Sequence, residues 1–223
     1  MLVRFSLLSP GLRTEWLEVP ASRKDPKLGT ARVCVRELPA AIWDLLWTDL
    51  LGAERESAEA AKALTEATTP EARDLARKRL VACRDAERYR GTRLLRACVV
   101  DHDASSFAAE VPPAEPGTPL YAQILSALIE TGYSPDEAAR AAQSGRAERR
   151  FGRGVLELDG QRFEGADEAT VRFYEACQPD NSFASLLTLC VARYQQGELL
   201  TPQAIWQRAG VLPLVQAPQE VSP

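Results

Sequence analysis

Apolar and polar residues tend to alternate along 2–8, 14–19 and 31–36, as in Glu15-Trp16-Leu17-Glu18-Val19 and Arg32-Val33-Cys34-Val35-Arg36. A period of two predicts short, half-buried strands, with Val33 and Val35 on one face and Arg32, Cys34 and Arg36 on the other. Ser9-Pro10-Gly11 and the polar segment 22–29 supply the turns. From Pro39 the period lengthens to three or four and holds to Arg96, with one break at Thr68-Thr69-Pro70. Pro39 suits a first helical turn, and Thr69-Pro70-Glu71 offers an N-cap, a first-turn proline and an acid for the positive helix end. The chain therefore predicts two long helices folded into an antiparallel hairpin.

The apolar stripe of the first helix changes width along its length. Between Ala41 and Leu51 only Asp44, Thr48 and Asp49 are polar, so Ile42, Trp43, Leu45, Leu46, Trp47, Leu50 and Leu51 form a face too wide for a two-helix seam. This base is expected to be buried on several sides. Beyond Gly52 the stripe narrows to Ala53, Ser57, Ala60, Leu64 and Ala67, small residues that allow close helix approach. A strip of Ala72, Ala76, Leu80, Cys83, Ala86 and Tyr89 is expected to face it from the second helix.

Residues 109–119 hold four prolines and one glycine, which marks a linker. A helix with Leu120, Ile124, Leu125, Leu128 and Ile129 on one face follows, then Ser134-Pro135-Asp136-Glu137, a capping box. Residues 155–163 read as a hairpin turning at Asp159-Gly160. Helices are expected over 167–178, 183–197 and from Thr201-Pro202 to Trp206. The predicted class is mainly α with two small β-hairpins (α+β), a long helical hairpin plus a second, smaller helical lobe. The domains drawn from sequence are 1–108, a Pro-rich linker at 109–119, a C-terminal lobe at 120–212, and a flexible tail at 213–223.

Charge separates the two arms. Residues 38–67 carry Asp44, Asp49, Glu54, Glu56, Glu59 and Glu66 against Arg55 and Lys62, net −4. Residues 70–96 carry eight arginines and Lys78 against Glu71, Asp74, Asp85 and Glu87, net +5. The whole chain of 223 residues is at −4, which argues against a dedicated nucleic-acid binder. The five cysteines lack the short paired spacing of a zinc site and read as free, buried thiols. An arginine interrupts the apolar opening segment, and no run approaches the ~20 apolar residues of a membrane span. A cytoplasmic protein with no membrane partner is expected.

Few residues offer chemistry. The lone histidine lies in Asp101-His102-Asp103, where a carboxylate could orient the ring for acid–base work or metal binding; the ordinary alternative is a polar loop at a helix end. Ser105-Ser106 lacks the glycines of a hydrolase elbow, and no phosphate-loop run exists. Arg146, Arg149, Arg150 and Arg153 around Phe151 could hold a phosphate backbone, or form a solvated loop that docks on acidic protein. Trp43 and Trp47 could anchor a partner or lie in the core. No catalytic, cofactor-binding or metal-binding residue is assigned and no cofactor is expected; the candidate partner-binding residues are Trp43, Trp47, Arg77, Arg84, Arg88, Arg149 and Arg150.

The order Ala31-Arg-Val-Cys-Val-Arg-Glu-Leu-Pro-Ala40, a helix, then Arg93-Leu-Leu-Arg-Ala-Cys-Val-Val-Asp-His-Asp103 resembles the tail assembly chaperones of tailed bacteriophages. In that family an R-E-L segment leads into helices and an L-V-x-x-x-V-V-D-x-D stretch closes the first layer; Gln123–Ala142 is similar to their small helical pair. The likeness spans about residues 30–145. The arm from Gly52 to Arg90 is longer than that pattern, and 150–223 have no counterpart in it. The resemblance implies a non-enzymatic assembly or adaptor protein in the host cytoplasm, with phage tail proteins or copies of itself as partners. The alternatives are a structural virion component (a head–tail or tail protein), or a nucleic-acid factor or enzyme using His102 and the Arg146–Arg153 cluster.

Overall fold

The computed structural model describes residues 13–177 and 183–211. The strand and turn expected over 2–11, part of the turn from helix to helix at 178–182, and the tail from 213 lie outside the described residues. Seven helices and seven short strands make up the described chain, and the α+β class expected from the sequence holds.

Strands β1 (Thr14–Pro20) and β2 (Thr30–Arg36) fall on the alternating segments. A third strand, β3 (Val99–His102), makes β2 the central strand of a sheet ordered β1-β2-β3. Residues 94–100 read from their composition only as an apolar return to the core, because a four-residue strand following a helix is too short to display its period.

Helices α1 (Ala40–Glu66) and α2 (Pro70–Cys98) form the hairpin. The Thr69 hydroxyl accepts from the Ala72 N–H at 3.2 Å, and Pro70 begins α2. The Arg93–Asp49 ion pair, at 3.6 Å, joins the first half of α1 to the last turns of α2, as an antiparallel hairpin requires. Ala53, Ser57 and Ala60 are buried along α1 as expected of the seam; of the strip expected on α2, Leu80 is buried, Ala76, Cys83 and Ala86 are half-buried, and Ala72, in the first turn, is exposed. Tyr89 is not in the seam: nine residues from Leu80, at ~100° each, bring it to the opposite face, and it is 64% exposed. The base is corrected as well. Only Ile42, Leu46 and Leu50 are buried there, while Leu45 and Leu51 are 43% and 42% exposed, because α2 covers one stripe of a helix that is apolar nearly all round.

The described residues divide into two compact units, 13–16, 34–102 and 151–172 in one, and 17–33, 103–150, 173–177 and 183–211 in the other. The first holds the helical hairpin, β3, and the hairpin of β6 (Arg153–Leu158) with β7 (Gln161–Ala166); β6 and β7 turn at Asp159 (φ 47°) and Gly160 (φ 73°), the left-handed pair that a tight two-residue turn needs. β7 is pinned to the C-terminal end of α2. Arg36 donates to Ala97 O (2.7 Å) and Glu164 O, and a Cβ on Gly165 would meet Arg96 O at 2.3 Å.

The second unit contains α3 (Pro119–Glu130), α4 (Pro135–Ser144), a strand pair of β4 (Ala108–Glu110) with β5 (Arg146–Glu148), and α6 (Phe183–Gln195) and α7 (Pro202–Arg208). α5 (Glu168–Ala176) enters it at Phe173. Its core is aromatic: Phe107 lies 5.4–5.7 Å from the rings of Phe173, Tyr174 and Phe183. The Tyr133 hydroxyl donates to Phe107 O at 3.2 Å, and Trp206 Nε1 to Ser22 O at 2.9 Å. The segment 109–119 is therefore no boundary. Ala108–Glu110 pairs with β5, Val111 N–H donates to Gly145 O and Ala114 N–H to Ala142 O, so the prolines shape an edge of one unit.

Candidate functional site

On α2, Arg77, Val81, Arg84 and Arg88 are spaced 4, 3 and 4 apart, which sets them in one stripe along the helix. All four are exposed, Val81 at 55%. Leu75 (72%) and Tyr89 (64%) are exposed too, but on another side of α2: nine residues at ~100° each put Leu75 opposite Arg84. On α1, Trp43 and Trp47 stack with centroids 5.1 Å apart and planes 15° apart; both are half-buried, so neither is a core anchor nor fully presented to solvent. A helix whose seam is already filled still carries basic and large apolar groups in water, at residue types that dominate protein interfaces.

The arginine cluster divides. The alternation of β5 runs on past its end, so Ala147 and Arg149 turn inward while Arg146, Glu148 and Arg150 turn out. Arg149, expected in a solvated loop, is 5% exposed. It pairs with Glu137 and lies 5.5 Å from the Phe173 ring centroid. Burial pushes the Glu137 carboxyl up, but the Ser134 N–H (2.9 Å) and hydroxyl (2.8 Å), Arg149 and the Arg150 N–H together hold it below its ordinary range. The capping box is thus one end of a buried ion pair. Arg153 belongs to the first unit, where it sits 5.6 Å over Phe151 and 3.3 Å from Asp101; Phe151 is occupied by these groups rather than free to stack on a base.

His102 is not in a polar loop. It ends β3, is 5% exposed, and meets Phe151 edge-on at 5.3 Å. Asp101 turns back to accept from the His102 N–H (2.9 Å). Ser105 donates its N–H and hydroxyl to Asp103 (3.0 and 2.7 Å), which lowers the Asp103 carboxyl and gives this serine a turn role. Burial pushes the thiols of Cys98, Cys177 and Cys190 up to about 12, far from the nucleophilic range. Among the described residues no group of histidine, cysteine and carboxylate side chains could hold a metal ion. Nor is any described helix long and apolar enough to cross a membrane.

Sequence reasoning missed Leu75 and Val81, whose exposure follows from their position relative to Leu80, and Arg140, which lies one turn beyond Glu137 on α4. The signal was the helical phase of each. No protein-family model matches the chain, and no curated protein or solved structure matches it either.

Proposed function

We propose that the protein is a non-enzymatic assembly or adaptor factor that holds a protein partner along the α1–α2 hairpin, in the manner of a tail assembly chaperone. The observation that carries this reading is the α2 stripe: Arg77, Arg84 and Arg88 flank exposed Val81. Exposed basic side chains interleaved with an apolar one suit an acidic, apolar-studded helix. The net −4 arm of a second copy has that character, as would an acidic segment of another tail protein. The two segments that carry the phage resemblance, 31–40 and 93–103, contribute neighbouring strands β2 and β3, which supports reading them as one motif.

The test is site-specific photocrosslinking from position 81 in the full chain, in producing cells and in purified protein. We expect one dominant adduct, to a second copy or to one co-produced protein, and its loss in the R77E/R84E/R88E variant with helix content unchanged. Diffuse labelling, or an adduct untouched by charge reversal, removes the hairpin as the binding element. A chaperone is absent from finished particles, whereas a permanent virion component is present in them.

A further inference from the structure

The second unit holds a cleft of about 360 Å³ between α4 and the run 146–150, lined by Glu137, Arg140, Arg146, Glu148 and Arg150 among others. Its charges can be accounted for one by one. Glu137 is neutralised from behind by buried Arg149 and receives the Arg150 N–H at 3.4 Å. Arg146 is matched by Glu148 at 2.7 Å. Arg140 and Arg150 remain, both exposed, and neither forms an ion pair among the described residues. The cleft therefore carries two uncompensated guanidinium groups over a base that is otherwise charge-neutral and rigidly capped.

We propose that this cleft binds a phosphate dianion, with Arg140 and Arg150 as its ligands. A guanidinium presents paired N–H donors that match phosphate oxygens, and two of them match its charge of two. Glu137, locked by Ser134 and Arg149, turns its remaining acceptor capacity toward the Arg150 backbone, which holds that residue at the cleft without spending its side chain. The open side of the cleft leaves room for the ester of a phosphorylated side chain, so free phosphate and a phosphate monoester share the same recognition chemistry.

The experiment is calorimetric titration of the full chain with inorganic phosphate and, separately, with O-phosphoserine. Ionic strength is held constant with chloride, and the pH is kept about two units above the second phosphate pKa of ~6. We expect saturable binding. R140Q and R150Q should each weaken it about tenfold, the loss of one charge-assisted contact, and the double variant should abolish it. R140K/R150K, which keeps the charge but not the fork, should retain weakened binding, and R172Q, remote in charge pairing, should change nothing. Tighter binding of O-phosphoserine assigns the site to a phosphorylated chain; equal or tighter binding of phosphate assigns it to the free ion. No saturable binding of either probe, or binding unmoved in a folded R140Q/R150Q protein, overturns the proposal.

Discussion

Arg149 shows why a residue type does not disclose its role until its neighbours are known. Four arginines in eight positions look like a basic patch, yet the alternation across 146–150 turns one of them inward, where it must be paired. Removing one partner of a buried pair strands the other, so Arg149→Met should cost about 3–5 kcal/mol in denaturant unfolding, against less than about 0.5 kcal/mol for exposed Arg150→Met. Glu137 adds a pH signature. Its folded pKa lies below the unfolded value of 4.5, so the charged form is favoured in the folded state; the pair contributes fully above that value and is lost as pH falls through the lower folded one. Glu137→Gln should therefore flatten the acid limb of the stability–pH curve, and a limb as steep as the parent's would place the acid sensitivity elsewhere. Gly165 is a second single-residue constraint. Its missing Cβ admits Arg96 O and Val99 O, so Gly165→Ala forces β7 away from the end of α2, at a cost of ~1–3 kcal/mol by thermal unfolding.

The helices were legible because their punctuation is local. Thr69, Thr118, Ser134 and Thr201 each cap the helix that follows with a side-chain oxygen, and each is followed by proline, so the chain announces four starts without any tertiary contact. The seam of the hairpin was half legible: α1's small residues were read correctly, whereas α2's strip drifted off phase by Tyr89. The strands β3, β4 and β5 were not legible, being three or four residues long and defined by partners distant in sequence. Phase makes a sharp expectation at this scale. Leu80→Ala opens a seam position 8% exposed and should cost about 2–5 kcal/mol, while Leu75→Ala, at 72% exposure, should leave chemical stability within about 0.5 kcal/mol. On the proposed reading Val81→Ala, at 55% exposure on the arginine stripe, weakens capture while leaving stability alone, which separates the two faces of one helix.

At the scale of the molecule, the misleading signal was the proline-rich segment. Composition alone made 109–119 a linker, but its amides are taken by Gly145 and Ala142, and the two compact units are each assembled from segments separated in sequence. The candidate binding surfaces were legible in part: charge segregation pointed to Arg77, Arg84 and Arg88, but the cleft needed Arg140 and Arg150 brought together by α4 and β5, which no linear spacing reveals. The interleaving has a direct consequence for dissection. A fragment ending at residue 108 keeps the helical hairpin but loses β6 and β7, and with them the Arg36 contact to Glu164 O and the strand pinned over Val99. A fragment beginning at 120 loses Phe107, the centre of the aromatic core, and β4, the strand paired with β5. Neither fragment should give a cooperative thermal transition, because each lacks part of a core rather than an appendage. Mixing the two should restore a transition if the missing pieces can dock in trans. A fragment of 120–223 that melts cooperatively alone would show that its core does not depend on Phe107, and would return the boundary to the prolines.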